Sequence, residues 1–262
     1  MTNLRSKKID RSRFQIKAKS HKIILAPFSL LELLVVFTII AMLAGIMIPS
    51  LSRSRKQAHR TNCVSNLKQI TIAAKMYSQE QGFFPEAYRE ITPGKIKYWC
   101  TGYDGANANF SGGAMADYIS SPELLKCPAF TDYTPLDGNK VPISSYGINA
   151  EYVGGSPMPG SNLDEILNSP PARLEEIKRP EMTVIFTDSA SMSGDLKESW
   201  YFWSRYSYAT GAELEPRVHF RHQSRAVAAF CDGHCEDSLK PDAIANETNK
   251  IGWLERELCE RY

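Results

Sequence analysis

The 262-residue sequence predicts an α+β protein in which a long N-terminal helix, membrane-spanning in its first half, packs on a small antiparallel sheet with long loops. Three observations predict it. Residues Phe28 to Ile48 form an apolar run broken by one carboxylate, Glu32, and a helix needs roughly 20 apolar residues to cross about 30 Å of hydrocarbon. Beyond that run, Cys63, Leu67, Ile70, Ala74 and Tyr77 recur at spacings of 4, 3, 4 and 3, the stripe of an amphipathic helix. Near the C-terminus, apolar segments flank Asp232-Gly233, a dipeptide suited to the tight turn of a hairpin.

The elements follow in order. Residues 1–27 are a basic leader, with Arg5, Lys7, Lys8, Arg11, Arg13, Lys17, Lys19 and Lys22 against Asp10 alone. The overall net charge of +2 hides this asymmetry. The rest of the chain is slightly acidic, which argues against wholesale nucleic-acid binding. Residues 28–48 are the expected transmembrane half of the helix. Arg53, Arg55, Lys56 and Arg60 follow as a second basic cluster, read as a solvated helix face or a contact with lipid headgroups. The heavier leader favours a cytoplasmic N-terminus. A cleaved secretory signal fits less well, because its apolar core is usually about 7–15 residues and ends at small residues.

Residues 49–82 continue as an amphipathic stalk. Pro49 removes one backbone hydrogen bond and is expected to kink the helix without ending it, since periodicity resumes. Asn62, Asn66, Lys68 and Lys75 are placed on its polar side. Gly82 is the expected stop before Phe83-Phe84-Pro85. Residues 83–262 form the globular part. Ala116 to Ile119 and Pro122 to Leu125 read as short helices, and Thr183 to Thr187 as a strand. Arg225 to Cys231 and His234 to Leu239 read as the two arms of the hairpin. The stretch from Val153 to Ser161 is loop by its Gly, Pro and Ser content.

Basic leader, aromatic, short residues, glutamate and long apolar run resemble the class III signal of type IV pilins and pseudopilins. Cys63-Val64-Ser65-Asn66-Leu67-Lys68-Gln69-Ile70, with Tyr77 and Phe83-Phe84-Pro85, is similar to prepilin-like proteins that carry an H-X9-DG domain. The motif of that domain is present as His222, nine intervening residues, and Asp232-Gly233. The likeness covers the N-terminal third and the segment near 180–236; the middle matches only through Leu125-Lys126-Cys127-Pro128 and Ser145-Tyr146-Gly147-Ile148-Asn149.

The resemblance implies cleavage between Pro27 and Phe28 by a prepilin peptidase, N-methylation of Phe28, and pairing of Glu32 with the freed amine of a neighbouring subunit. A lone carboxylate in lipid costs on the order of 3 kcal/mol, and a cation offsets it. The sequence departs from the family at Pro27, where glycine is usual, and in the apolar Ile23-Ile24-Leu25-Ala26 just upstream.

The expectation is therefore a structural subunit of a type II secretion or type IV pilus-like assembly, not an enzyme. Its implied partners are the prepilin peptidase/methyltransferase, other pilin-like subunits, an inner-membrane assembly platform and the lipid bilayer. The expected placement is single-pass in the inner membrane, with the C-terminal domain periplasmic or on the cell surface. The alternative is an anchored extracytoplasmic binding domain, for polysaccharide or a divalent metal, that does not polymerise.

Six cysteines in such a compartment can form disulfides, with 15 possible connectivities. Cys100 and Cys127 bracket a loop-rich segment and are the favoured pair. The C-terminal cluster of Asp188, His219, His222, Cys231, Asp232, His234 and Cys235 admits a metal reading, with His222, Asp232 and His234 as candidate ligands. Turn chemistry accounts for Asp232-Gly233 without a metal, and His222 is then a brace of the hairpin. Cys231-x-x-His234-Cys235 is not a zinc-finger spacing. No Gly-x-Ser-x-Gly elbow, His-Glu-x-x-His or phosphate-binding loop is present, and no cofactor is implied. The aromatics Trp200, Tyr201, Trp203, Tyr206 and Tyr208 are read as core and interface packing, with a sugar-binding surface as the alternative.

Overall fold

A computed structural model describes residues 29–105, 108–130, 144–155, 170–193, 195–207 and 211–260. Pro27, Phe28, the leader and Tyr208 lie outside the described residues, as do residues 156–161 of the Gly/Pro-rich loop. Helix α1 spans Leu30–Gln81 and its helical backbone continues past Pro49. It ends at Gly82, which takes φ +82° and donates its N–H to the Ser78 carbonyl, the left-handed stop that glycine adopts without a Cβ clash.

Contacts divide the chain into two compact units between Pro49 and Ser50. In the first, the apolar part of α1 is long enough to cross a membrane and is not buried by protein. The start of the helix is a capping box that sequence analysis overlooked. Glu32 Oε2 accepts from the Ser29 backbone N–H at 2.9 Å, and Ser29 Oγ accepts from the Leu31 N–H at 3.3 Å. A Ser-x-x-Glu run satisfies orphan donors of the first turn in this way.

In the second unit α1 is amphipathic. Cys63, Leu67, Ile70 and Ala74 are fully buried, with Thr71 and Ala73 beside them, and Tyr77 is half-buried. Two expectations are corrected. Lys75 does not point to solvent, because its Nζ donates to the Asp232 carbonyl at 2.6 Å. Asn66 likewise turns toward the domain, donating to the Lys126 carbonyl and the Tyr146 hydroxyl.

The strands are β1 Tyr88–Thr92, β2 Lys95–Tyr98, β3 Gly102–Tyr103, β4 Ala108–Asn109, β5 Tyr146–Asn149, β6 Val184–Asp188, β7 Ser191–Ser193 and β8 Asp195–Lys197. They continue with β9 Tyr201–Phe202, β10 Val218–His219, β11 Ala226–Phe230, β12 Cys235–Leu239, β13 Ala243–Asn246 and β14 Ile251–Trp253. The central sheet has the order β12-β11-β6-β5-β9, antiparallel except for β5 against β9. Strands β5, β6 and β11 are buried at every position, so both faces of the sheet are covered. That explains their continuous apolar runs in place of strict alternation. Trp99 packs on Phe186 with ring centroids 4.9 Å apart. Arg60 in α1 pairs with Asp237 in β12 at 2.8 Å.

Smaller sheets, β1-β2-β3-β4, β10-β14-β13 and β7-β8, complete the α+β architecture among the described residues. Residues Pro122–Leu125 form a 3₁₀ turn capped by Ser121. Ala116 to Ile119 is a turn and not a helix. Of the aromatic run, Tyr201 and Trp203 are buried and the Arg217 guanidinium lies 4.4 Å from the Tyr201 ring centre, a packing role; among the described residues Tyr206 is the exposed member.

Candidate functional site

The expected hairpin is present. β11 pairs with β12, and Gly233 sits in the turn with φ +101°, where a Cβ would stand 3.2 Å from Lys75 Nζ. Asp232 Oδ1 accepts from the His234 backbone N–H at 3.0 Å and lies 2.7 Å from His234 Nδ1. The His234 ring stacks on Phe230 at 4.2 Å. These are the contacts of a self-satisfied turn.

His222 is elsewhere. It begins a different tight turn, exchanging backbone hydrogen bonds with Arg225 across Gln223 and Ser224, both at positive φ. The metal set His222, Asp232 and His234 is corrected on this ground: β11 stands between the two turns, and its five residues rise roughly 15 Å. Among the described residues, the group of donors close enough to share an ion is Cys63, Cys127, Asp188 and His222, all buried, with donor atoms within 4.8 Å of one another.

Four segments bring these side chains together. Cys63 comes from the buried stripe of α1, Cys127 from the loop after the 3₁₀ turn, Asp188 from the end of β6 and His222 from the turn after β10. Asp188 is fully buried. Its Oδ2 accepts from the Val227 backbone N–H at 2.8 Å and lies 3.4 Å from His222 Nε2, and its Oδ1 lies 3.5 Å from Arg221 Nε. Arg221 donates to the carbonyls of Ser145 and Ser189, each at 2.8 Å, and its guanidinium covers the Phe130 ring at 4.5 Å. The buried cation thus ties the residue before β5 to the segment after β6 and compensates a carboxylate that burial alone would disfavour.

Burial raises the Asp188 carboxyl, yet Arg221, His222 and the Val227 N–H together hold it below the usual carboxylate range. Burial lowers His222, but Asp188 and Cys127 outweigh it and bring the imidazole up to about 9. Burial also raises Cys127, against the Cys63 hydrogen bond, Arg221 and His222, which pull it down to about 5. Cys63 is pushed up, first by its hydrogen bond to Cys127 and then by burial. His219, buried beside Arg221, is lowered to about 3.

Cys127 Sγ lies 3.6 Å from His222 Nε2, the same nitrogen that faces Asp188. A nucleophile–base–acid relay needs the two partners on opposite ring nitrogens, so this is not one. A tetrahedral zinc with Zn–S near 2.3 Å sets its two thiolates roughly 3.8 Å apart. The Cys63 and Cys127 sulfurs stand at 2.6 Å, too close to fit that set as it lies.

The structure also corrects the favoured cysteine pair. Cys127 meets Cys63, while the Cys100 sulfur meets the Thr101 hydroxyl. The helix stripe carries Cys63 into the core opposite Cys127, a tertiary contact that sequence proximity does not reveal. Glu32 sits at the other end of the chain, in the capping box. Asp188 is visible as one polar residue of the C-terminal cluster, whereas Arg221, one of three arginines at four-residue spacing (Arg217, Arg221, Arg225), carries no local signal that sets it apart.

Beside the cluster lies a cavity of about 550 Å³ whose lining includes Lys56, Arg60, His219, Arg221, His222 and Lys250. Comparison with protein-family models, with curated proteins and with solved structures finds no match.

Proposed function

We propose that this chain is a pilin-like (pseudopilin) structural subunit of a type II secretion or type IV pilus-like assembly, freed of its leader by a prepilin peptidase between Pro27 and Phe28. The observation that carries the reading is the change of character within α1. Up to Pro49 the helix is apolar on every side and uncovered by protein, whereas from Cys63 one face of it is buried in the α+β core. An all-round apolar surface needs lipid or other copies of the same helix around it.

Glu32 then has two uses. Its Oε2 closes the helix cap, and a carboxylate offers about four acceptor sites, so the group can still receive the amine of a neighbouring Phe28. The protein would sit in the inner membrane, with residues beyond about 50 outside the cytoplasm.

The test is mass spectrometry of the mature N-terminus together with inter-subunit crosslinking of Glu32→Ala. Expected are a chain beginning at Phe28 and a variant that still inserts but loses its crosslinks. A retained leader with unchanged crosslinks in the variant would overturn the reading. The second reading, an anchored binding domain that does not polymerise, is favoured by the cationic cavity, whose size suits a small ligand. Saturable binding of an acidic oligosaccharide, weakened by Lys56→Glu, would support it.

A further inference from the structure

The Cys63 and Cys127 sulfurs are 2.6 Å apart, and both residues are buried in the core. Carbon atoms in van der Waals contact settle at roughly 3.5–4.0 Å, sulfur is the larger atom, and a disulfide holds its sulfurs at about 2.05 Å. A separation between these limits, inside a close-packed core, leaves the two thiols in direct contact and within easy reach of a bond. All six cysteines, Cys63 and Cys127 included, stand as free thiols in this structure. The charge of Asp188 is compensated by Arg221 and His222 and its Oδ2 accepts from the Val227 N–H, while its Oδ1 faces Arg221 Nε at 3.5 Å without a hydrogen bond.

We propose that Cys63 and Cys127 are joined as a disulfide, a covalent tie between helix α1 and the loop that follows Pro122–Leu125. The oxidant required is another disulfide, either oxidised glutathione or the active-site disulfide of a thiol-exchange protein. Cys127 is the sulfur that reacts first, because His222 and Arg221 face it and favour its thiolate. The thiolate attacks one sulfur of the oxidant, forming a mixed disulfide and releasing one thiolate, which takes up a proton. Cys63 then loses its proton and attacks the Cys127 sulfur, expelling the second thiolate. In sum two protein thiols lose two electrons and two protons, and one disulfide becomes two thiols. Entry is by way of the cavity, whose wall includes His222 and, next to Cys127 in the chain, Pro128 and Ala129.

The bond spans 64 positions of sequence. Removing a cross-link of that span frees the unfolded chain and lowers the unfolding midpoint by roughly 8–16 °C for a domain of this size. The inference rests on the proposed exported placement only for the natural source of oxidant; the chemistry can be tested on purified protein whether or not the leader is cleaved.

The full chain in detergent is equilibrated with oxidised glutathione, alkylated and digested without reduction. The expected result is one linked peptide pair containing Cys63 and Cys127, with the other cysteines alkylated. Reduction should lower the midpoint of the wild-type protein by the amount given and leave Cys63→Ser and Cys127→Ser unmoved. If both serine variants fail to fold, the peptide map of the wild type still decides. Alkylation of both sulfurs after oxidation, or linkage of either to a third cysteine, overturns the proposal. So does one zinc per chain, with both sulfurs protected until a chelator is added.

Discussion

Leu67→Ala tests the docking of α1 on the sheet. Leu67 is fully buried, one turn beyond Cys63 and one turn before Ile70 and Thr71, which are equally buried. The substitution deletes the isobutyl group beyond Cβ, losing the transfer free energy of those carbons and leaving a void that close-packed neighbours fill only in part. For a fully buried leucine the sum is about 3–5 kcal/mol. Ile72 stands on the same helix but is 50% exposed, so Ile72→Ala should cost less than about 1 kcal/mol, with alanine's better helix propensity offsetting part of the loss. Urea unfolding followed by tryptophan fluorescence is a suitable readout, because Trp99, Trp200, Trp203 and Trp253 all lie beyond the helix. A loss below about 1 kcal/mol at Leu67, or equal losses at the two sites, would refute the packing described.

Gly233→Val places a β-branched residue at φ +101° and against Lys75; a loss of about 1–3 kcal/mol is expected, and a wild-type urea midpoint would count against it. Asp188→Ala leaves Arg221 as a buried unpaired cation and should cost about 3–5 kcal/mol, more than the roughly 1–3 kcal/mol expected for His222→Ala; the reverse order in the same assay would remove Asp188 from the centre of the cluster. In the reduced protein the lowered Cys127 contributes stability that is complete above about pH 9 and lost as pH falls through about 5, which offsets the trend of His222 over the same range. The raised His222 contributes stability that is complete below about pH 6.5 and lost as pH rises through about 9, up to about 3 kcal/mol taken alone. The lowered Asp188 acts in the opposite direction, its contribution being complete above about pH 4 and lost as acid protonates the folded carboxylate. Once Cys127 is oxidised its offset is gone while Asp188 still faces His222, so the alkaline loss should be larger in the oxidised than in the reduced protein; denaturation at pH 6 and pH 9, with and without reductant, measures both.

Local patterns made much of the fold legible. The 4-3-4-3 stripe placed the buried face of α1 because helix periodicity is a property of neighbouring residues, and Gly82 marked its end for the same reason. The strand at β6 and the β11–β12 hairpin were readable from β-branched content and an Asp-Gly turn. What could not be read are the meetings of segments far apart in sequence. Asn66 and Lys75 look like surface residues until Tyr146, Lys126 and Asp232 are brought to them. Cys127 finds Cys63 and not the nearer Cys100 because the helix face, and not chain distance, decides which thiol enters the core. Asp188 and His222 were both visible as polar residues, but the motif spacing linked His222 to Asp232, at the far end of β11. The Ser29–Glu32 cap was legible and was overlooked because the membrane context drew attention to the charge of Glu32 instead of its spacing from Ser29.

The order in which the chain emerges during synthesis gives the α1 stripe a second significance. Cys63, Leu67, Ile70 and Ala74 are covered by parts of the chain made much later: Cys63 meets a residue 64 positions on, and Lys75 one 157 positions on. At roughly 5–20 residues per second, the interval from the helix to the β11–β12 hairpin is about 8–30 s. The stripe is therefore an adhesive surface in the nascent chain for most of its synthesis. Contacts of such wide sequence separation also form slowly. Folding of the domain thus waits on the hairpin at its C-terminal end, and a chaperone that shields the stripe until the hairpin arrives would raise yield more than one acting on the finished chain.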